Sequence, residues 1–390
     1  MTDIKIPKRG FSKDEFEKRL SNAQKIMNKH QLDAIFVTTP HNIRYFSGFN
    51  SQFWESPTRP WFLVIPAEGD PIAVIPEIGG PGMKLTWIDD IRTWQAPNPS
   101  DDGISLLRST LEKITKRFGK IGAELGREMS LRMPVLDFLK LRETIQSEIV
   151  NGSPAIWEMR IVKTEAEIEH INYICKIASE AYEALPNKLS IGNTEREAVC
   201  KLRIDIAKRG ADSTPFMAGI SGPSGVSQIV CGPQDRILEK GDILFIDTGS
   251  TYDGYFCDFD RNYAFGKVSS EVSRVHEALW LATEAGIKAA VPGAKTDDVW
   301  KAMNSIIENA GAIGNNVGRL GHGLGLQLTE PPSHRLGDNT IISENMVLTI
   351  EPGMEYAPGK MIVHEENIAI TKDGSKLLTK RAPRELPIIS

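Results

Sequence analysis

Long apolar runs and paired cysteines are both missing from this chain of 390 residues. No segment approaches the roughly 20 apolar residues that a membrane-spanning helix needs. The first residues, MTDIKIPKRG, contain no apolar run, so we expect neither a signal peptide nor a membrane anchor. The four cysteines show no CxxC spacing and are expected to be scattered, reduced thiols.

A strong charge imbalance is also missing. The net charge of −5 and the isoelectric point near 5.9 argue against nucleic acid or an anionic membrane as a partner. Hydrophobic and charged fractions of 41% and 25% are ordinary for a globular protein, and the length allows two domains. These numbers favour a cytoplasmic enzyme.

The N-terminal part, residues 1–155, alternates strand and helix signals. Ser12 followed by Glu15 is typical of a capping box that opens a helix. Residues 104–118 also have helical spacing. Buried strands are predicted at the apolar runs LDAIFVTT, WFLVIP, PIAVIP and IGAEL. This alternation predicts a compact α/β domain.

The remaining residues, 156–390, predict helices mixed with antiparallel strands, an α+β layout. The domain boundary is expected near residues 152–162, where loop composition gives way to helix. Two further capping boxes, of the form Thr-x-x-Glu, open helices in this part. The predicted helices are 164–184, 194–208, 270–290 and 297–310.

Two aspartates flank a predicted hairpin in the second part. Asp247 ends an apolar strand, and Asp258 follows eleven residues later, past the turn signal at residues 252–254. Such a turn can bring the two carboxylates side by side, and alternation places Asp260 on the same face as Asp258. Taken alone, the pattern fits a non-functional alternative equally well, in which Asp247 caps the end of a strand and Asp258 is a solvated residue of the hairpin.

A histidine and three glutamates stand in similarly short motifs. His322 lies between two glycines, which let the backbone approach a metal closely; a hydrogen-bonded core histidine is the alternative. Glu351 follows the apolar run VLTI, and burying it without a partner would be costly; an exposed strand end is the alternative. Glu365 and Glu366 are adjacent, so alternation sends only one of them inward. The residues alone do not say which.

Together these motifs predict a metal site. Four carboxylates and one imidazole that converge on one point repel each other unless a cation lies among them. This set suits a pair of divalent ions, with Mn²⁺ expected first and Co²⁺, Fe²⁺ or Zn²⁺ as alternatives. A bridged metal pair indicates hydrolysis by a metal-bound hydroxide. The predicted ligands are Asp247, Asp258, His322, Glu351 and one of the two adjacent glutamates.

In this order and with these flanks, the motifs resemble the pita-bread family that contains methionine aminopeptidase, prolidase, aminopeptidase P and creatinase. The resemblance covers roughly residues 155–385, and the N-terminal part is more weakly similar to the accessory domain of prolidases and creatinase. It implies that Thr371, six residues after Glu365, selects Glu365 over Glu366 as the ligand.

The resemblance also implies roles for the five ligands. Asp247 would bind one ion in bidentate fashion, and Asp258 and Glu365 would bridge both ions. His322 and Glu351 would complete the second ion, and Glu351 would also take the proton from the attacking water. A homodimer is implied as well.

Three positions depart from the family's pattern. Its peptidases read HEPP seven residues after the metal-binding histidine, whereas this chain reads TEPP, with Thr329 in place of the imidazole. A second family histidine aligns with Val230, and no histidine lies between His170 and His276. The threonine of the family's DxTR run is Asp260 here.

These departures leave the substrate open. Thr329 can donate a hydrogen bond to a substrate carbonyl, but it cannot act as a general acid near neutral pH. Asp260 could orient the nucleophilic water, or it could form a structural ion pair with Arg261. His334 is a candidate for the lost imidazole, whereas His364 should point away from Glu365 and be structural.

An aromatic segment of the N-terminal part, residues 41–62, offers further candidates. In two-domain relatives this region approaches the catalytic cleft, often that of the partner subunit. The resemblance therefore implies that Arg59 or Arg44 could hold a substrate carboxylate and that Trp54 could cover a small cation or ring. Packing within its own domain is the alternative for these side chains.

The favoured interpretation is a dinuclear metal-dependent hydrolase, like Xaa-Pro dipeptidases and aminopeptidases, that cleaves an amide bond of a short peptide. Because both outer histidines are missing, a creatinase-like hydrolase or a lyase acting on a non-peptide small molecule is the alternative. A binding module without activity fits less well, since all five ligands are present. The predicted catalytic residues are Glu351, Thr329 and Asp260, and the predicted substrate contacts are Arg59, Trp54 and His334.

Overall fold

A computed structural model describes residues 5–55, 59–314 and 318–390. The chain divides into two compact units, of which the first comprises residues 8–160. The second comprises residues 161–390 together with the N-terminal segment up to Pro7. Within the described ranges, no helix has the length and apolar character needed to cross a membrane.

The first unit is an α/β unit built on one six-stranded sheet. Its helices are α1 (Lys13–Lys29), α2 (Pro40–Ser47), α3 (Gly80–Met83), α4 (Ile104–Glu112), α5 (Val135–Thr144) and α6 (Ser153–Arg160). Its strands are β1 (Ala34–Val37), β2 (Phe62–Pro66), β3 (Ile72–Pro76), β4 (Asp90–Trp94), β5 (Lys120–Ala123) and β6 (Glu148–Asn151). The strand order is β4-β3-β2-β1-β5-β6, parallel from β1 through β5 to β6 and antiparallel between β1, β2 and β3.

Local sequence signals account for most of these elements. The Ser12 hydroxyl accepts a hydrogen bond from the Glu15 N–H, and α1 begins at the next residue after Ser12. The predicted helix over 104–118 ends earlier, at Glu112, shortly before the β-branched residues Ile114 and Thr115, which lose side-chain freedom in a helix. Strands β1 to β3 are buried along their whole length, as their continuous apolar runs predict.

Among its described residues, the second unit combines four long helices with strands that pair antiparallel, except for a short parallel pairing near the C-terminus. The helices are α7 (Glu165–Ala184), α8 (Glu195–Lys208), α9 (Ser270–Ala289) and α10 (Thr296–Asn309). The strands are β7 (Ser213–Pro223), β8 (Asp242–Tyr252), β9 (Tyr255–Phe256), β10 (Phe259–Phe265), β11 (His322–Gly323), β12 (Glu330–Ser333), β13 (Val347–Ile350), β14 (Gly353–Ala357), β15 (Lys360–Val363), β16 (Glu366–Thr371), β17 (Gly374–Leu377) and β18 (Ile388–Ile389).

The strands of this unit form two five-stranded sheets and a hairpin. One sheet has the order β18-β10-β8-β7, with β9 paired to β8, and the other has the order β12-β11-β13-β16-β17. Strands β14 and β15 form the hairpin. Helices α7 and α8 both begin at the predicted capping boxes, in which Thr164 and Thr194 exchange hydrogen bonds with Glu167 and Glu197. This mixture agrees with the α+β layout predicted from the sequence.

Packing of α9 and α10 on the second sheet fixes the strands that carry two predicted ligands. Burial of each large aliphatic side chain in this core contributes about 1.5–3 kcal/mol. Glu351 directly follows β13, and Glu365 directly precedes β16, so the core positions the ends of both strands. Fully buried members include Val272, Val275, Leu279, Val299, Met303, Leu348, Ile350, Ile368 and Ile370.

A buried ion pair anchors the TEPP segment at the start of β12. The Lys163 ammonium lies 2.9 Å from a Glu330 carboxylate oxygen, and both side chains are only 2% exposed. The other oxygen of Glu330 accepts the Gln327 N–H at 3.2 Å. The pair therefore fixes the backbone next to Thr329.

Removing one partner of this pair should destabilise the protein. We expect Lys163→Met to lower the free energy of unfolding by about 3–5 kcal/mol, because it leaves a buried carboxylate uncompensated. Denaturant unfolding monitored by circular dichroism measures this change. Arg196→Met is the matched control, since Arg196 and Asp235 form an ion pair that is largely exposed, and it should leave the transition unchanged. Equal stability of Lys163→Met and the wild type would refute the anchoring role.

Candidate metal centre

The two aspartates of the predicted hairpin lie on adjacent strands, but in a different register from the one expected. Strand β8 does not end at Asp247; it continues to Tyr252, and Asp247 pairs with Ala218 of β7 on one side and Asp260 of β10 on the other. Asp258 lies two residues before Asp260, just outside β10. The residue opposite Asp247 is therefore Asp260, and Asp258 is the diagonal neighbour.

The backbone around His322 requires glycine on both sides. Gly321 has φ of +130°, and a Cβ atom there would lie 2.3 Å from the carbonyl oxygen of Thr349. A Cβ atom on Gly323 would lie 2.2 Å from the carbonyl oxygen of Pro331. Both distances are far shorter than any real contact, so the GHG motif is dictated by close approach of neighbouring strands.

The His322 ring presents Nε2 to the carboxylates. Its Nδ1 lies 2.9 Å from the carbonyl oxygen of Gly323, which assigns the ring proton to Nδ1 and leaves the Nε2 lone pair available as a ligand. Nε2 lies 3.4 Å from Asp258 Oδ2. The backbone N–H of His322 also donates to the Thr349 hydroxyl at 3.0 Å, which fixes the strand carrying the ring.

The two adjacent glutamates have opposite environments. The Glu366 carboxylate forms ion pairs with Arg261 at 3.1 Å and Arg381 at 3.2 Å, and it also accepts hydrogen bonds from the Thr379 hydroxyl and the Ala382 N–H. Glu365 is also buried, but its Oε1 has no hydrogen-bond partner among the described residues. Only Glu365 is therefore free to bind a cation.

Asn367 ties Asp258 to the strand that follows Glu365, a contact that the sequence did not predict. Its Oδ1 accepts the Asp258 N–H at 2.9 Å, and its Nδ2 donates to the Asp258 carbonyl oxygen. One amide side chain thus satisfies both backbone groups of Asp258, which has no ladder partner. Asn367 follows Glu365 at a spacing of two, so strand alternation is the signal that could have identified it.

The electrostatics are those of several acids buried close together. Burial, followed by repulsion from Asp258 and other neighbouring carboxylates, holds the pKa values of Asp247 and Glu365 well above the usual range. Burial likewise raises the pKa of Asp258, and that of Glu351 is raised by burial to about 7. Arg319 lowers the pKa of both Asp258 and Glu351.

This arrangement fits a divalent metal. Ligand atoms of Asp258, His322 and Glu365 all lie within 4.8 Å of one another. One oxygen of Asp247 and one of Glu365 are buried without a hydrogen-bond partner in the described chain, which is costly unless a cation binds them. Carboxylate oxygens with an imidazole nitrogen are the ligands that Mn²⁺, Fe²⁺, Co²⁺ and Zn²⁺ accept in proteins.

The predicted catalytic residue Asp260 lies in this acidic cluster, and Thr329 directly precedes β12, which pairs with the strand of His322. Asp260 is buried opposite Asp247, and burial together with the Asp247 charge raises its pKa well above the usual range. The alternative role predicted for Asp260 was an ion pair with Arg261. In the structure, the Arg261 guanidinium forms its ion pair with Glu366 and donates hydrogen bonds to backbone carbonyl oxygens. Thr329 is half-buried, and its hydroxyl accepts a hydrogen bond from Arg319 at 3.2 Å.

The three predicted substrate contacts have differing settings. His334 is fully buried after β12, and burial lowers its pKa to about 4, so its ring is neutral at physiological pH. Trp54 packs on Phe49 and Trp61 within the first unit, with ring centroids 5.9 and 5.2 Å away. Arg59 is half-buried in the same unit. The substrate roles of all three stay predictions.

Known protein families match both parts of the chain. Residues 169–372 match the model of metallopeptidase family M24, and residues 19–162 match the model of the creatinase/prolidase N-terminal domain. The Xaa-Pro dipeptidase of Pyrococcus furiosus is 28% identical over 386 residues, which cover 95% of this chain and 99% of the relative. The probable dipeptidase PepE of Mycobacterium tuberculosis is 27% identical over 393 residues, 98% of each chain.

Solved structures show the same two-part architecture. Recombinant prolidase from Thermococcus sibiricus superposes with a TM-score of 0.86 at 27% identity, over 97% of this chain and 100% of that one. Dipeptidase PepE from Mycobacterium ulcerans superposes with a TM-score of 0.85 at 27% identity, over 97% and 99%. These likenesses confirm the fold class expected from the motifs, a pita-bread domain with a smaller creatinase-like domain before it.

The contrast between the adjacent glutamates can be tested by metal content. We expect Glu365→Gln to lose bound metal, because a neutral amide replaces a ligand, while the protein stays folded. Glu366→Gln should instead lower the thermal unfolding temperature, since it leaves Arg261 and Arg381 partly unpaired in a buried site. Elemental analysis and thermal unfolding measure the two effects. Loss of metal in Glu366→Gln with full retention in Glu365→Gln would reverse the assignment.

The raised pKa of Glu351 predicts how pH affects the metal-free protein. In the folded metal-free protein the pKa of Glu351 is about 7, whereas the ordinary pKa of a glutamate is 4.5. The folded state therefore binds the Glu351 proton more tightly than the unfolded state does. The stability that this proton contributes is complete below pH 4.5 and is lost as the pH rises through 7. Chelator-treated protein should therefore unfold at a lower temperature at pH 8 than at pH 5. Glu351→Gln should flatten this dependence, and Glu344→Gln, at an exposed position, should not. A metal-free protein more stable at pH 8 would contradict the argument.

Proposed function

The chain belongs to metallopeptidase family M24 and is a metal-dependent hydrolase, and we propose that its substrates are dipeptides of the Xaa-Pro type. The observation that carries the proposal is the convergence of Asp258, His322 and Glu365, whose ligand atoms lie within 4.8 Å of one another. Relatives named Xaa-Pro dipeptidase and prolidase, similar over nearly the whole chain, support the substrate class.

We propose that the site holds two divalent ions, with Mn²⁺ the first candidate. When bound, such ions lower the pKa of a water nucleophile and polarise the substrate carbonyl. The unpartnered oxygens of Asp247 and Glu365 support their roles as ligands. The proposed ligands are Asp247, Asp258, His322, Glu351 and Glu365.

Glu351 is the proposed proton carrier. Its carboxylate is buried beside the acidic cluster, where it can accept the proton of the attacking water and return it to the leaving nitrogen. The buried Asp260 carboxylate, opposite Asp247, is proposed to orient that water. Thr329 is proposed to donate a hydrogen bond from its hydroxyl to the substrate carbonyl, in place of the imidazole found in other family peptidases.

The substrate contacts and the assembly complete the proposal. Arg59 and Trp54 are proposed to contact the substrate in a homodimer, and His334 is proposed to support the site from its buried position. The relatives named as dipeptidases favour a peptide over the creatinase-like or lyase substrates that the missing histidines also allow.

Activity on a panel of Xaa-Pro dipeptides, with Mn²⁺ added, tests the proposal. We expect turnover by the wild type and a loss of at least about 100-fold in Asp258→Ala and His322→Ala, because each removes a ligand atom. Asp373→Ala, in the exposed turn after β16, is the matched control and should keep full activity. Turnover of a cyclic amidine or of creatine without any dipeptide cleavage would overturn the peptide substrate.

A further inference from the structure

A cavity of about 350 Å³ lies at an open edge of strand β10, within the second unit. Residues 260–263 all line it, although successive side chains of a strand point to opposite faces of the sheet. A cavity contacts both sets of side chains where it passes the edge of the strand. Strand β18 covers that edge further along, at Ala264 and Phe265. The cavity therefore runs past β10, from one face of the sheet towards the other.

Another wall of the cavity is the segment that leads into the second sheet. Val363 ends β15, and His364 follows it and lines the cavity. The Asn262 side-chain amide donates to the Val363 carbonyl oxygen at 2.7 Å, and the Arg261 guanidinium donates to that of Glu365 at 3.1 Å. These side-chain bonds join β10 to the segment, so the cavity lies at a seam between the two sheets.

The two ends of the cavity have different surroundings. At the inner end, Asp260 lies directly opposite Asp247 in the ladder between β8 and β10, and the Cβ atoms of such paired residues are about 4.5–5.5 Å apart. At the outer end, Lys380 and Glu183 form an ion pair, and their side chains are 65% and 48% exposed. The cavity thus reaches from the protein surface to the neighbour of a proposed metal ligand.

The lining offers acceptor atoms that the fold does not use. Asn262 Oδ1 is buried without a hydrogen-bond partner among the described residues. His276 Nε2 lies 3.3 Å from the Pro383 carbonyl oxygen, and its Nδ1 lies 3.2 Å from His364 Nε2. Burial lowers the pKa of His276 to about 4, so this ring is neutral at physiological pH. Because a carbonyl cannot donate, His276 is protonated at Nε2 and accepts at Nδ1, which leaves the His364 Nδ1 lone pair as an acceptor.

The charges of the lining also suit a cation. Each arginine or lysine that lines the cavity has an acidic partner within 4 Å. These pairs are Arg261–Glu366, Arg381–Glu366, Arg381–Glu284 and Lys380–Glu183. Asp260 forms no ion pair in the described parts of the chain, so its carboxyl group is the acid left over. Neutral nitrogen and oxygen acceptors with one such carboxyl group are ligands that divalent metals accept in proteins.

We propose that this cavity is an access route by which divalent cations reach the acidic cluster. The inference rests on the proposed function, which gives the cluster a metal pair. A hydrated ion fits the volume, since each water molecule occupies about 30 Å³. On the way inward, the acceptors of His364, Asn262 and Asp260 replace water ligands of the ion before Asp247 binds it.

Filling the cavity tests the route, because a route sets a barrier that binding and release share and leaves the affinity unchanged. Ala382 lines the cavity, and its N–H and carbonyl groups bond to Glu366 and Trp280, so Ala382→Leu adds bulk without removing a hydrogen bond. Stopped-flow absorbance with Co²⁺ measures association, and excess chelator measures release. We expect Ala382→Leu to slow both rates together by about 10-fold, with an unchanged dissociation constant. Ala207→Leu, on the exposed face of α8, is the matched control and should change neither rate.

The ion pair at the outer end gives a second test that leaves the packing intact. Glu183→Gln removes a negative charge from the opening and should slow Co²⁺ association, whereas Lys380→Gln removes a positive charge and should speed it. Both effects should shrink at high ionic strength. Asp235→Asn, in the exposed pair with Arg196, is the control and should have no effect. If Ala382→Leu does not fold, as judged by circular dichroism, these surface variants decide the result.

The outcomes separate the route from the proposed function. Unchanged association and release in Ala382→Leu, or a changed dissociation constant at an unchanged association rate, would overturn the route alone. Wild-type protein that binds no Co²⁺ would refute the proposed metal pair and the route with it. Co²⁺ binding that Ala382→Leu slows, without cleavage of any Xaa-Pro dipeptide, would refute the proposed substrate and support the route.

Discussion

Repulsion among carboxylates buried around one imidazole is the constraint on which the second unit depends. Burial and neighbouring carboxylates hold the pKa values of Asp247 and Glu365 well above the usual range, and one oxygen of each lies without a hydrogen-bond partner in the described chain. Such an arrangement costs stability unless cations enter it. The scaffold therefore has to hold the proposed ligands in place against their own repulsion. A bound cation would offset that repulsion.

Several features of the fold serve this purpose. Glycines on both sides of His322 let β11 lie against its neighbours, and Asn367 fixes Asp258 where no strand partner does. Glu366, next to the proposed ligand Glu365, is neutralised by two arginines and holds the start of β16. A difference of one position along the strand thus separates a structural glutamate from a proposed metal ligand.

Much of this arrangement was predictable from the sequence, because the signals are local. Capping boxes marked the starts of α7 and α8, and short motifs marked the acids and the histidine. Contacts between distant segments were not predictable. The pairing of Asp247 with Asp260 depends on strand register, and the partners of Glu366 are Arg261 and groups in residues 379–382. Arg319 was missed because nothing in its own motif indicates that it contacts Thr329.

The central claim is that the five proposed ligands hold a pair of divalent ions. An anomalous-difference map from crystals of the protein grown with Mn²⁺ tests it most directly. The account predicts two peaks bounded by Asp247, Asp258, His322, Glu351 and Glu365. A fully occupied map with peaks elsewhere, or with no peak among these residues, would contradict it.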